Sequence, residues 1–251
     1  MRKTVVVFAA VLSGLAWSGV PAQEPSQDPL SAPRAAYQQR ASSAQAKAAV
    51  DLFGQALKAD PKSYEAAWEG ARACYYYGHY CLANAPDSEL LALFQEGINR
   101  ARAAVAINPK GAEGHFWLGV LDGVYGETKG IFKSLSMVPE IKQEMAAAAA
   151  INPSVEGGGP DRVLGRLYFK LPGFKGGDNK KSIEHLEKSL QDAPTNALTR
   201  LYLAETLKSE GMKDKALEQV KFIIAMTPDP QWEPEHPSIK AEAQRLLNKW
   251  S

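Results

Sequence analysis

Two arginines spaced four residues apart are the best-placed chemistry in this sequence. Arg162 and Arg166 lie in "PDRVLGRLYFK" (residues 160–170), and that spacing puts both on one side of a helix. Paired guanidinium groups hold a carboxylate or phosphate through charge-assisted, bidentate hydrogen bonds. Beside the rings of Phe169, Phe116 and Tyr76, they would take an anionic head with an apolar body. The competing reading is structural: the same arginines form salt bridges to Glu69, Glu205 or nearby acids.

Other reactive residue types stand in patterns that carry less. His79, His115, His185 and His236 fit no metal spacing such as H-E-x-x-H, and no G-x-S-x-G turn occurs. Carboxylates alternate with Lys and Arg along helical stretches such as "EHLEK" (residues 184–188) and read as solvated pairs. No catalytic residue, metal or cofactor is therefore expected. The glycine-rich "GGGPDRVLGRLYFKLPGFKGGD" (residues 157–178) lacks the G-x4-G-K-[ST] spacing of a nucleotide loop. Cys74 and Cys81 fall in "CYYYGHYC". On an unbroken helix their α-carbons would be ~10 Å apart, too far for a disulfide. If Gly78 ends the helix, the chain can fold back and bridge them.

The elements that position these residues are helical. Ala-rich runs with apolar residues three or four apart alternate with Pro and Gly. Five segments end alike: "FGQALKADP", "ARAAVAINP", "MAAAAAINP", "LEKSLQDAP" and "VKFIIAMTP", closing at Pro61, Pro109, Pro153, Pro194 and Pro228. Ala56, Ala104, Ala148 and Ser189 stand five before the proline, where a small side chain lets helices approach; Ile223 breaks that pattern. Between these ends lie "WEGARACY", "HFWLGVLD", "DRVLGRLY" and "RLYLAETL", which follow the tetratricopeptide pattern W-x2-L-G-x2-Y to differing degrees. The last interval, Pro194 to Pro228, is 34 residues, the tetratricopeptide period.

The predicted fold is thus all-α: a tetratricopeptide-type helix-pair solenoid of about five units over residues 35–251. "SIKAEAQRLLNKW" (residues 238–250) supplies the capping helix that solenoid ends require. The earlier intervals are longer, at 48, 44 and 41 residues, and the excess of 13, 10 and 5 falls between the two helices of a repeat. These insertions stack on one edge, the kind of face that often binds. In the second of them, "GIFKSLSMV" (residues 130–138) is expected as a short lid helix or as packing against the array. First helices line the concave face, which assigns Phe116, Arg162, Arg166, Phe169, Glu69, Tyr76 and Glu205 to it.

The N-terminus carries an address. Arg2 and Lys3 precede the apolar "VVVFAAVLSGLAW" and the cleavage-like "VPA", which reads as a signal peptide over residues 1–22, cut after Ala22. Residues 23–34 are rich in Pro, Ser and Gln and are expected as a disordered linker. Cleavage removes two positive charges and leaves 27 basic against 28 acidic residues. That balance offers no footprint for nucleic acid, and no membrane anchor is evident after cleavage. The expected location is periplasmic or secreted.

Longer strings add a resemblance. "GGGPDRVLGRLYFKLPGFKGGDNKKSIEHLEKSL" (residues 157–190), with "GIFKSLSMVPEIKQEMAAAAAINPS" before it and "PDPQWEPE" after it, resembles the T-component proteins of TRAP transporters. The resemblance covers roughly residues 35–250 and implies an exported, all-helical cup or ring that binds a partner; with no catalytic motif present, the expected function is a non-enzymatic scaffold. Its implied partner is a periplasmic substrate-binding protein, with a small apolar or organic-acid ligand. Members are often lipoproteins, and the anchoring Cys is absent here. The alternative function is a stand-alone periplasmic binder of such a ligand.

Overall fold

The structure, a computed structural model, describes residues 28–251. The signal peptide and most of the linker lie outside the described residues. Eleven α-helices, packed in consecutive antiparallel pairs, make up the described chain. They are α1 (Ser31–Gln38), α2 (Ser43–Ala59), α3 (Tyr64–Tyr76), α4 (Asp87–Ile107), α5 (Ala112–Lys129) and α6 (Ile131–Ile151). There follow α7 (Gly159–Lys170), α8 (Asn179–Asp192), α9 (Ala197–Ser209), α10 (Lys213–Ala225) and α11 (His236–Trp250). The all-α helix-pair solenoid is the observed architecture, five pairs with α11 closing the end.

The prolines act as the sequence implies. Helices α2, α4, α6 and α8 stop two residues short of Pro61, Pro109, Pro153 and Pro194. The residue before each proline is driven out of helical geometry by the ring: Asn108 has φ −135° and ψ 87°, Asn152 φ −147° and ψ 98°. New helices then start on side-chain caps. Ser63 accepts the Ala66 N–H at 3.2 Å, and Asn196 accepts that of Thr199 at 3.0 Å. Such caps satisfy donors that a helix start leaves open. Small residues sit where helices cross: Ala104, Ala148 and Ser189 are fully buried. Gly165 is the tightest crossing of α7 on α8, since a Cβ there would lie 2.6 Å from Leu186 Cγ.

The inserted residues mostly lengthen helices. Only Gly130 separates α5 from α6, so the expected short lid helix is instead the first turns of α6. A π-helical turn, Tyr77–Cys81, extends α3, and a 3-10 turn, Gly173–Lys175, lies between α7 and α8. The last residues of the expected linker, Ser31 to Arg34, already form the first turn of α1, anchored by buried Leu30 and Pro33.

The disulfide expectation is corrected: Cys74 and Cys81 are free thiols. Gly78 does not end the helix. It lies in the π-helical turn, buried where a Cβ would come within 2.9 Å of the Phe94 ring. Helical geometry therefore persists from Cys74 to Cys81 and keeps the sulfurs apart. Burial pushes the Cys74 thiol up to about 12.

The solenoid closes on itself. Arg40, in the turn after α1, donates from Nε to Glu235 Oε1 at 3.1 Å and from Nη2 to Oε2 at 3.2 Å. Nη2 also donates to the Gln231 carbonyl at 2.6 Å. Both side chains are largely buried, and the guanidinium stacks 4.5 Å from the Tyr37 ring centre. First and last elements are thereby pinned across 195 residues.

One buried group carries a pH signature. Asp122, on α5, is fully buried and neither carboxylate oxygen has a hydrogen-bond partner among the described residues. Burial, reinforced by Glu140 and Glu144 and opposed by Arg102 and Lys133, pushes its pKa up to about 7. The folded state therefore holds a proton that the unfolded state releases near pH 4. Folding stability should fall as pH rises from about 4 to about 7. Asp122→Asn should flatten that slope and raise the thermal midpoint at pH 8, checked by melts across pH. An unchanged slope would contradict the assignment.

Candidate functional site

Closure encloses a central cavity of about 620 Å³ on the concave side, within the range of small-molecule sites. Four first helices build it, each by helical spacing. From α3 and its π-helical extension come Tyr75, Tyr76, His79 and Tyr80. They pack in pairs four apart, Tyr75 stacked on His79 at 5.3 Å and Tyr76 tilted against Tyr80 at 5.1 Å. From α5 come Phe116, Trp117, Val120 and Val124; from α7, Arg162 and Arg166; from α9, Leu198 and Tyr202. The closing elements add Tyr37, Arg40, Trp232 and Glu235.

The wall disfavours charge. Burial raises the pKa of Tyr75 and Tyr80 and pushes Tyr37 up to about 12. It lowers that of His79, which stays neutral. The phenols and the imidazole are thus uncharged hydrogen-bonding groups, and the guanidinium groups carry the positive charge.

Arg162 is the exception to ordinary pairing. It is 8% exposed, and its hydrogen bonds among the described residues run from Nη1 to the carbonyls of Glu156 at 3.1 Å and Gly157 at 3.2 Å. It forms no salt bridge among the described residues. Burial pushes its pKa down, with Glu156 as the main opposing charge. A buried cation held by carbonyls alone retains unmet electrostatic demand. The Trp117 indole N–H, on the same wall, is likewise unpartnered among the described residues.

The carbonyls that hold Arg162 come from an unusual turn. Glu156, Gly157 and Gly158 all have positive φ, at 51°, 65° and 68°. For Glu156 that conformation is strained. Its side chain is fixed by Arg72 Nη1 at 3.8 Å and Gln231 Nε2 at 3.4 Å. Gly157 packs under Trp232, where a Cβ would lie 2.7 Å from the indole. Residues 156–158 thus form a left-handed turn that turns two carbonyls toward Arg162 and seats the closing connector.

Of the seven residues assigned from sequence, Arg162, Arg166, Phe116 and Tyr76 line the cavity. The other three do not. Glu69 is buried behind the wall, accepting Arg34 at 2.6 Å and Arg72 at 3.4 Å. Glu205 pairs with Arg166 at 2.6 Å, and Phe169 lies 5.5 Å from that guanidinium. The two readings of the arginine pair therefore divide: Arg166 is salt-bridged and stacked on Tyr202 at 4.2 Å, while Arg162 has no carboxylate partner among the described residues. Sequence reasoning missed Trp117, Tyr202, Trp232 and Arg40. The first two stand one residue before the repeat's Leu118 and Leu203, an offset that assignment left out. The others enter only through closure.

Comparison with known proteins supports the fold. The sequence model of the family "Regulator of microtubule dynamics protein 1-3" matches residues 33–157, just under half of the chain. No curated protein matches in sequence. Among solved structures, the chain is similar to TTC0263, a thermophilic tetratricopeptide protein of Thermus thermophilus. That match has 21% identity and a TM-score of 0.63, and covers 87% of this chain and 100% of that one. It is also similar to a monomeric mutant of IFIT1 with m7Gppp-AAAA, at 18% identity and a TM-score of 0.53. That match covers 89% of this chain and 42% of IFIT1. At these identities the likeness shows the fold alone, a tetratricopeptide-type helix-pair solenoid.

The left-handed turn generates a test. Gly158 has φ 68°, and a Cβ would lie 2.8 Å from the Ser189 backbone. Gly158→Ala should cost more than about 2 kcal/mol in urea denaturation, from left-handed strain and clash together. A loss below about 0.5 kcal/mol would contradict the rigid-turn account.

Proposed function

We propose that this chain is a non-catalytic, exported tetratricopeptide scaffold that encloses a small organic anion and presents it to a protein partner. The observation that carries the reading is Arg162. It is a buried guanidinium without a carboxylate partner among the described residues, facing an aromatic cavity large enough for a small ligand. A carboxylate at this point would complete the hydrogen bonding of Arg162 and neutralise a desolvated charge. Phe116, Trp117 and the tyrosines of α3 then surround an apolar body. Export rests on the signal-like residues 1–22.

The finer reading, carried by the resemblance of residues 157–190, is a T-component that hands its ligand to a TRAP-type substrate-binding protein. A pull-down from the native envelope fraction tests it. Co-purification of such a binding protein supports the role. Ligand retention without that partner leaves the stand-alone binder.

Calorimetry with decanoate, phenylpropionate and decanol tests the cavity reading. The acids should bind and the alcohol should bind more weakly. Arg162→Gln should weaken acid binding by about tenfold or more while leaving the alcohol unaffected. Arg162→Lys, which keeps the charge but loses the planar fork, provides a second variant if Arg162→Gln fails to fold, and should weaken the acids less. Equal binding of acid and alcohol, or of wild type and Arg162→Gln, would overturn the assignment.

A further inference from the structure

The chain as a whole is nearly balanced in charge, at +1, yet its charges are not evenly placed. Two side chains stand out among the exposed apolar residues: Phe132, 89% exposed at the start of α6, and Phe174, 84% exposed in the Gly173–Lys175 turn. Ile131 beside the first is 60% exposed. Both segments are insertions between the helices of a repeat, and so both lie on the same edge of the solenoid. Ile131 and Leu135 from one, and Lys170 and Leu171 from the other, border the central cavity.

Each ring is set among lysines. Lys129 and Lys133 flank Phe132, while Lys170, Lys175, Lys180 and Lys181 flank Phe174, and all six are exposed. Residues 127–133 and 170–181 hold these six lysines against two acids, Glu127 and Asp178. Asp178 caps α8, accepting the N–H groups of Lys180 and Lys181 at 3.0 and 3.1 Å, and its other oxygen lies 4.0 Å from Lys181 Nζ, which leaves five lysines without an acid among the described residues of these two segments. Leaving two phenylalanines in water forgoes substantial burial energy.

We propose that this rim docks on an anionic bilayer surface, with Phe132 and Phe174 entering the headgroup–acyl boundary and the lysines meeting lipid phosphates. Rings that project singly from separate turns among lysines match an interfacial anchor. A protein-docking patch would instead show a contiguous apolar centre poor in lysine. No helix among the described residues is long and apolar enough to cross a membrane, so the contact is peripheral. This inference is independent of the cavity's occupant, because neither phenylalanine lines the cavity.

Co-sedimentation of the purified protein with phosphatidylcholine vesicles, with and without phosphatidylglycerol, tests it at low and high salt. Binding should require phosphatidylglycerol and weaken as salt screens the lysines. The double variant Phe132→Ser, Phe174→Ser should lose about tenfold in vesicle affinity with unchanged helicity by circular dichroism. Both positions are exposed, so folding should survive. No binding to anionic vesicles, equal binding to neutral ones, or full binding by the double variant would overturn the proposal. So would capture of a protein at this rim without vesicle binding.

Discussion

A buried ion pair pins the two ends of the helical array to one another. Arg40 and Glu235 meet through two hydrogen bonds, and Arg40 also takes the Gln231 carbonyl. A helix-pair solenoid gains most of its stability from nearest neighbours, and its curvature from the rotation between repeats; the pair fixes the ends where that curvature brings them close. Removing one partner of such a pair typically costs about 3–5 kcal/mol, because the other charge is left buried and unpaired. Replacing both by apolar residues can be nearly neutral. The pair's value is therefore the geometry it enforces, and that geometry is the cavity.

Closure also organises the anion site. The connector after α10 brings Trp232 onto Gly157 and Gln231 onto Glu156. Both contacts fall on the left-handed turn whose carbonyls receive Arg162. Closing the ring and positioning the guanidinium are thus one packing event. Strain at Glu156, with φ 51°, persists because Arg72 and Gln231 hold its side chain and the flanking glycines adopt the same hand without penalty. Arg72 links this turn back to Tyr37, 4.2 Å from its guanidinium.

The sequence made the helices legible because their determinants are local. Proline spacing, caps such as Asn196 and close-packing residues such as Gly165 act within one repeat or between adjacent ones. The cavity was legible only in part. Arg162, Arg166, Phe116 and Tyr76 were found from concave-face spacing, which is also local. Arg40, Glu235 and Trp232 were not, since a contact across 195 residues leaves no periodic trace. The cysteines show the opposite failure. Gly78 signals a break, but tertiary packing against Phe94 and Leu93 makes it a close-contact position inside a continuing helix. Glu69 was placed on the concave face by register, yet Arg34 on α1 claims it at 2.6 Å, an element that the repeat pattern does not describe.

The most direct test of the closed-ring account is amide hydrogen exchange, followed by mass spectrometry, in wild type and Arg40→Ala. Closure predicts that exchange rises together in α1 and in residues 228–236, which lie far apart in sequence, while α4 and α5 keep their protection. Unchanged exchange in both segments would contradict the account, as would loss of protection spread evenly over all the helices.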